Sequence, residues 1–310
     1  MARNERLTLP DLGGRRVLVT GASDGIGLEI AARFAGAGAE VVVPVRNRDK
    51  GAAAVARITA QHPGASVLLE DLDLSSLESV STLGERMRSE GMPIDVIVGN
   101  AGVMNPPERQ TTRDGFELQF GTNHLGHVAL VAALLPLLRA ANGRVVMQSS
   151  VAAQRASIRW DDLQSERDYD VARAYGQSKL ACALFALELG RRSRAGGWGI
   201  TSAVSHPGVA PTSLLAARPE IGRSGDTVAV RLIRWLSARG LLVGTPASAA
   251  EPALLAATDA DLDGGFVGPT GPGQLGGPAG RRKPWAPLLR DDDAARLWDV
   301  SESLVGSGVS

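Results

Sequence analysis

One short segment constrains this chain more than any other. An apolar run at residues 16–20 (RVLVT) passes directly into Gly21-Ala22-Ser23-Asp24-Gly25-Ile26-Gly27 and then into a helical pattern. A buried strand that feeds a glycine turn and a helix leaves few folds open. Gly21 permits a tight turn, Gly25 lets backbone approach a pyrophosphate, and Gly27 lets the helix pack close to the sheet. The helix N-terminus offers unpaired N–H groups and the positive end of a dipole to an anion. Ser23, Asp24 and Ile26 share the turn and are expected to join the three glycines as dinucleotide contacts. A glycine pattern alone is weak in a chain with 37 glycines. The strand–turn–helix context gives this one its weight against the plain alternative, a tight turn.

The rest of the chain repeats the alternation. Residues 40–45, 66–70, 95–98, 144–148 and 200–204 read as further short strands. Helical patterns fall at 25–37 (closed by Gly38), at 49–61 and on Leu77, Val80, Leu83 and Met87. Longer helices are expected at 113–139, bent near Pro136, and at 173–194. This predicts an α/β fold: a Rossmann-type doubly wound parallel sheet with helices on both faces. One domain, 1–310, is expected. Two segments break the rhythm. Residues 151–174 are polar and read as an insertion. Residues 264–283, rich in glycine and proline, read as an ordered loop or flexible tail before a last helix near 292–304. The segment from about 212 to 245 should form a lid. Its apolar residues suggest an apolar substrate, or ordinary helix packing.

Composition narrows the function. The 310 residues carry 33 basic and 33 acidic side chains, so the basic excess of a nucleic-acid footprint is missing. A single cysteine, Cys182, excludes an internal disulfide. The first residues are polar, without an apolar signal core. The longest apolar run, 128–138, contains Pro136 and is too short to span a bilayer. The expectation is a cytoplasmic protein without nucleic acid or a membrane span.

The second strand ends in Pro44-Val45-Arg46-Asn47-Arg48. No carboxylate stands there to bind ribose hydroxyls, as an NAD site commonly requires. A guanidinium at Arg46 suits a 2′-phosphate in fork geometry. NADP(H) is therefore expected ahead of NAD(H), with Arg46 and Asn47 as contacts. The alternative is a solvated pair formed by Arg46 and Arg48. Asp49 is expected to cap the next helix.

Tyr175-Gly176-Gln177-Ser178-Lys179 puts a phenol and an ammonium on one helix face. The chain has only two tyrosines and three lysines. Counting over its length predicts about 0.02 such pairs by chance. Reduction of a carbonyl needs a proton donor for the developing alkoxide. A neighbouring ammonium, worth up to ~4 kcal/mol at 4 Å and an effective dielectric of ~20, makes a phenol a better one. Tyr169 and Arg173 repeat the spacing, but Tyr169 precedes the apolar helix.

The turn with its preceding Thr20 and the Y-x-x-x-K pair resemble the short-chain dehydrogenase/reductase superfamily. The stretch TTRDGFELQFGTNHLGHVAL around Asn123 resembles its retinol dehydrogenase/protochlorophyllide reductase-like branch. The resemblance covers about residues 12–270. It implies that Tyr175 exchanges the proton, Lys179 supports it and holds the ribose, Ser150 orients the substrate oxygen, and Asn123 holds a water linked to Lys179. Ser149 should face away, since neighbours on a strand point to opposite faces. Ser150 and Tyr175 lie farther apart than in most of the family, which matches an insertion. The resemblance also implies Asp73 and Leu74 beside the adenine, and Asn100, Ala101 and Gly102 beside the ribose. Gly99 stands where the family usually has a further asparagine, which puts local bracing in doubt. Pro207, Gly208, Val209 and Thr212 should reach the nicotinamide side and the phosphates. His124 and His127 are expected to pack or hydrogen-bond, with no metal site.

These readings predict an NADP(H)-dependent oxidoreductase for a ketone, aldehyde or secondary alcohol. Two alternatives stay open: a non-catalytic NADP(H)-sensing regulator, and a reductase of carbon–carbon double bonds. The helices at 113–139 and 173–194 correspond to those that pair subunits in many relatives. A homo-oligomer is possible on that ground, although their apolar faces could equally be core.

Overall fold

The computed structural model describes residues 7–211, 222, 235–239 and 243–306. Among these, β1 (Arg16–Val19), β2 (Glu40–Val45), β3 (Val67–Asp71), β4 (Val96–Gly99), β5 (Arg144–Gln148), β6 (Thr201–Ser205), β7 (Gly265–Pro269) and β8 (Ala279–Arg282) form one sheet. Its order is β3-β2-β1-β4-β5-β6-β7-β8. Neighbours pair in parallel as far as β7, and β8 closes the edge antiparallel. Every residue of β1 is buried, because both faces of the sheet are covered.

Helices α1 (Gly25–Gly36), α2 (Arg48–Gln61) and α6 (Pro246–Thr258) cover one face. Their core joins Ile30, Phe34 and Ile58 to Val17, Val41 and Val43 of the sheet, with Leu254 from α6. Helices α3 (Leu77–Glu90), α4 (Leu118–Ala141), α5 (Val171–Gly196) and α7 (Asp291–Val305) cover the other. There Val80, Leu83 and Met87 meet Leu130, Leu134 and Leu138. α4 is long and apolar enough to cross a membrane, yet it is a helix of this core.

Several expectations need correction. α2 begins at Arg48, and its cap is Asn47, whose Oδ1 accepts the Lys50 N–H at 2.9 Å; Asp49 sits inside the first turn. α4 begins at Leu118, not 113, and it carries a π-turn at Gly121–Leu125. Pro136 lies on the exposed side of the helix. Residues 264–283 are neither tail nor simple loop: they carry β7, β8 and the turn between them. β7 hid in the sequence because glycine interrupts its apolar pattern. Gly268 is required there, since a Cβ would overlap the ring of His206, which directly follows the neighbouring strand β6. α6 hid behind Pro252, which reads as a breaker. Most of the expected lid, 212–221, 223–234 and 240–242, lies outside the described residues.

α7 packs across α5. Trp298 stacks on Phe185, ring centroids 5.2 Å apart, and Arg192 lies over the Trp298 ring at 4.9 Å. Arg192 also donates to Asp299 at 2.9 Å, and Arg191 pairs with Asp291. His124 of α4 meets the Ser301 hydroxyl at 2.7 Å. Removing a buried tryptophan from such a contact leaves a cavity. Trp298→Ala should cost about 3–5 kcal/mol of stability, read from denaturant midpoints at unchanged slope.

Candidate active site

The C-terminal ends of β1, β4, β5 and β6 converge on a cleft of about 380 Å³. It opens where the strand order reverses between β1 and β4, the place a doubly wound sheet offers a ligand. Fifteen of the residues singled out in the sequence line it: Gly21, Ser23, Asp24, Gly25, Ile26, Gly27, Asn100, Ala101, Gly102, Ser150, Tyr175, Lys179, Pro207, Gly208 and Val209.

The glycines do what the turn requires. Gly21 and Gly25 have φ of 69° and 58°, a region that side chains rarely adopt. A Cβ at Gly27 would overlap the Gly21 carbonyl and the Asn100 amide. Asp24 caps α1, its carboxylate accepting the Gly25 N–H at 2.6 Å. Asn100 braces the turn from β4: its Nδ2 donates to the Thr20 carbonyl at 2.8 Å, and its Oδ1 accepts from Gln148 Nε2 at 2.6 Å.

The four expected catalytic residues lie close together. Lys179 Nζ is buried and donates to the Gln148 carbonyl at 3.1 Å. Asn123 does not line the cleft but stands behind it. Its Oδ1 accepts the Val103 N–H at 2.7 Å, and its Nδ2 donates to the Val103 carbonyl and the Ser178 hydroxyl, both at 3.0 Å. Gly102 packs against both groups: a Cβ there would stand 3.0 Å from Asn123 Oδ1 and 3.4 Å from Lys179 Nζ. Ser150 faces the cleft and caps the short 3-10 turn Val151–Arg155, accepting the Ala152 N–H at 3.3 Å. Ser149 donates to the Lys179 carbonyl at 2.8 Å, yet, contrary to the expectation that it faces away, it also lines the cleft. Gly176 lets α5 approach that turn, since its Cβ would meet the Ala152 carbonyl at 3.1 Å.

Tyr169 has a different setting. Its hydroxyl donates to the Pro106 carbonyl at 3.0 Å, and burial, aided by the Glu117 charge, pushes its pKa up to about 12. Arg173 pairs with Asp168 at 2.6 Å. That pair is structural.

The outer cofactor residues are spread along the sheet edge. Arg46 is exposed and has no acidic partner among the described residues, whereas Arg48 pairs with Asp71 at 2.6 Å. Both arginines are exposed, as the alternative of a solvated surface pair also has them. Asp73 accepts from the Ser75 N–H and hydroxyl at 3.0 and 2.6 Å, and Ser76 caps α3. Leu74 is buried, its carbonyl against Gly126 of α4. None of Arg46, Asn47, Asp73 and Leu74 lines the cleft itself. Thr212 lies outside the described residues. The sequence reading missed Met104, Gln148, Val151 and Ala210, which also line the cleft. Their only signal was position, each just beyond or at the end of a strand or motif already marked.

Three histidines, His124, His127 and His206, are buried. His206 holds the Pro207–Val209 loop: its Nδ1 accepts the Gly208 N–H at 3.3 Å and its Nε2 meets Gln274 Oε1 at 2.9 Å. Burial pushes its pKa down to about 4. His127 is also pushed down to about 4, by burial and then by the Lys179 charge, against the opposing hydrogen bond to Asn123. His124 falls to about 3, again chiefly through burial.

The sequence model of the short chain dehydrogenase family matches residues 15–220. Human retinol dehydrogenase 13 is 37% identical over 307 residues, covering 97% of this chain and 86% of its own length. Among solved structures, an uncharacterised protein from Mycobacterium paratuberculosis superposes with a TM-score of 0.77 at 32% identity, covering 97% of both chains. An NADP active-site complex of Pseudomonas aeruginosa RhlG superposes with a TM-score of 0.62 at 26% identity, covering 84% of this chain and 96% of that one.

The histidines link folding to pH. Each is neutral when folded, with a pKa below the ordinary 6.5 of an unfolded histidine. The unfolded chain therefore takes up protons first as pH falls. Stability should be full above about pH 6.5 and decline toward pH 4, by up to about 1.4 kcal/mol per pH unit for each histidine. Denaturant titrations between pH 7.5 and 4.5 test this; a flat profile would contradict it.

Proposed function

The chain belongs to the short-chain dehydrogenase family, and on that premise we propose that it is an NADP(H)-dependent oxidoreductase of ketones, aldehydes or secondary alcohols. One observation carries the reading: Tyr175, Lys179 and Ser150 share one cleft with the glycine turn, while Arg46 stands exposed beyond β2, with no acidic partner among the described residues. The residues fit a dinucleotide. The Cβ-free surfaces of Gly21, Gly25 and Gly102 admit its backbone-hugging parts, and the start of α1 offers N–H groups to its phosphates. Arg46 suits the 2′-phosphate.

When bound, the nicotinamide supplies or accepts hydride. The protein's own groups handle the oxygen and the proton. The Ser150 hydroxyl orients the substrate oxygen. The Tyr175 phenol donates its proton to that oxygen in reduction and takes it back in oxidation. The Lys179 charge stabilises the phenolate left behind. Asn123 fixes the backbone at Val103 and, through Ser178, the helix that carries both Tyr175 and Lys179. Met104, Val151, Val209 and Ala210 make part of the cleft lining apolar, which supports an apolar substrate. The name of the retinol dehydrogenase relative points the same way.

Two measurements test the proposal. NADPH consumption is followed against aldehydes, ketones and enones. Tyr175→Phe should lower turnover at least 100-fold while dinucleotide binding persists. Unchanged turnover in that variant would sink the assignment, and activity confined to enones would favour reduction of a carbon–carbon double bond. Arg46→Ala should raise the KM for NADPH about 10- to 100-fold and leave that for NADH nearly unchanged. Equal effects on both would remove the 2′-phosphate role.

A further inference from the structure

We infer that His127 is a positioning residue that ties the two halves of the site together. Its imidazole joins the helix turn that carries Asn123 to the strand ends that face the cleft. This deepens the functional reading above and rests on it for its kinetic consequence.

The hydrogen bonds leave one arrangement open. His127 Nδ1 lies 2.8 Å from the Asn123 backbone carbonyl. A carbonyl only accepts, so Nδ1 carries the proton. His127 Nε2 lies 2.9 Å from the Thr20 hydroxyl. That oxygen already accepts the Asn100 and Ala101 N–H groups, each at 3.0 Å. Both of its lone pairs are used, so it donates its hydrogen to Nε2. Its other acceptor, the Val98 carbonyl, is farther away at 3.3 Å. A protonated imidazole would ask the Thr20 oxygen to accept a third hydrogen. The ring therefore works as a neutral strut with a fixed tautomer.

The surroundings are shaped for it. A Cβ at Gly99 would stand 2.6 Å from Met147 Sδ and 3.1 Å from His127 Cδ2, so glycine makes the room. The bracing lost with a side chain at that position is supplied from α4 by the imidazole. Cys182 Sγ of α5 also reaches the Asn123 carbonyl, at 3.0 Å. The charged neighbour is Lys179 on α5, and the titratable one is His124 on α4. Asn100 and Ala101 line the cleft, and Asn123 stands directly behind Gly102 and Lys179. A shift of the ring thus moves the dinucleotide wall and the catalytic helix contact together.

The test uses the full chain. NADPH affinity is measured directly by titration, apart from turnover. His127→Phe keeps a ring and removes both hydrogen bonds. It should weaken NADPH binding and lower kcat, each about 10-fold. His127→Gln, whose amide can donate to Asn123 and accept from Thr20, should recover most of both. Thr20→Val removes the other end of the link, and the double variant His127→Phe/Thr20→Val should be no worse than the poorer single one. Additive losses, unchanged binding and kcat in His127→Phe, or equal loss in His127→Gln would each overturn the proposal. Should His127→Phe not fold, 15N NMR of the wild-type imidazole decides: an Nδ1–H neutral ring at pH 6 supports the strut, and an Nε2–H or charged ring overturns it. If the wild type binds NADPH yet turns over no carbonyl, alcohol or enone, the functional reading fails, while the binding and NMR arms still judge His127.

Discussion

The site depends on the contact between Asn100, at the end of β4, and the glycine turn that follows β1. β1 and β4 are neighbours in the sheet, yet their connections leave toward opposite sides, which opens the cleft. Something must fix the two strand ends at the point where no covalent link does so. Asn100 does this with its whole amide: one end holds the Thr20 carbonyl, the other holds Gln148 of β5. Three strand ends are locked by one side chain. The contact forms only because Gly27 has no Cβ, so the floor of the dinucleotide site and its shortest brace have the same cause.

That cause was legible in the sequence because it is local. The strand, three glycines and helix start follow one another within a dozen positions, and the Y-x-x-x-K pair lies within one helical turn. What escaped was non-local. β7 and α6 lack the apolar rhythm of their kind, because Gly268 answers to His206 and Pro252 sits in a helix that packing holds together. The cap of α2 moved by two residues, from Asp49 to Asn47, a matter of which short polar side chain meets the first free N–H groups. Asn123 could be marked as functional from the pattern around it, but its place behind the cleft follows from Val103 and Ser178, on two other parts of the chain.

The C-terminal third is where the sequence said least and the structure adds most. The turn between β7 and β8 reaches back to the Pro207–Val209 loop: the Val209 N–H donates to the Leu275 carbonyl at 2.8 Å, and Gln274 holds His206. Gln274 and Gly273 adopt φ of 58° and 61°, which brings this turn onto the loop. The glycine and proline richness that suggested a tail serves a close contact at a half-buried turn. α7 does the same for α5, covering with Trp298 and Leu297 an apolar face that would otherwise meet solvent or another chain.

The long connection between Ser150 and Tyr175 shows why spacing along the chain is a poor measure of a site. Ser150 is placed by β5 and Tyr175 by α5, so the path between them is free to lengthen. Loop closure charges little for this, about 0.6 kcal/mol per doubling of length. The added residues are themselves ordered by polar contacts. Gln177 of α5 accepts the Arg159 N–H at 2.8 Å and donates to the Leu163 carbonyl at 3.0 Å, and Trp160 donates to Asp293 of α7 at 2.9 Å. The same segment fixes the residues that follow Met104. Gln164 accepts from Arg109 and from the Glu117 N–H, at 2.9 and 2.7 Å, and Tyr169 holds Pro106. The segment thus orders the residues that follow Met104. In this fold, chemistry is set by strand ends and one helix, while the freedom to choose a substrate sits in segments such as this one, which the catalytic residues do not constrain.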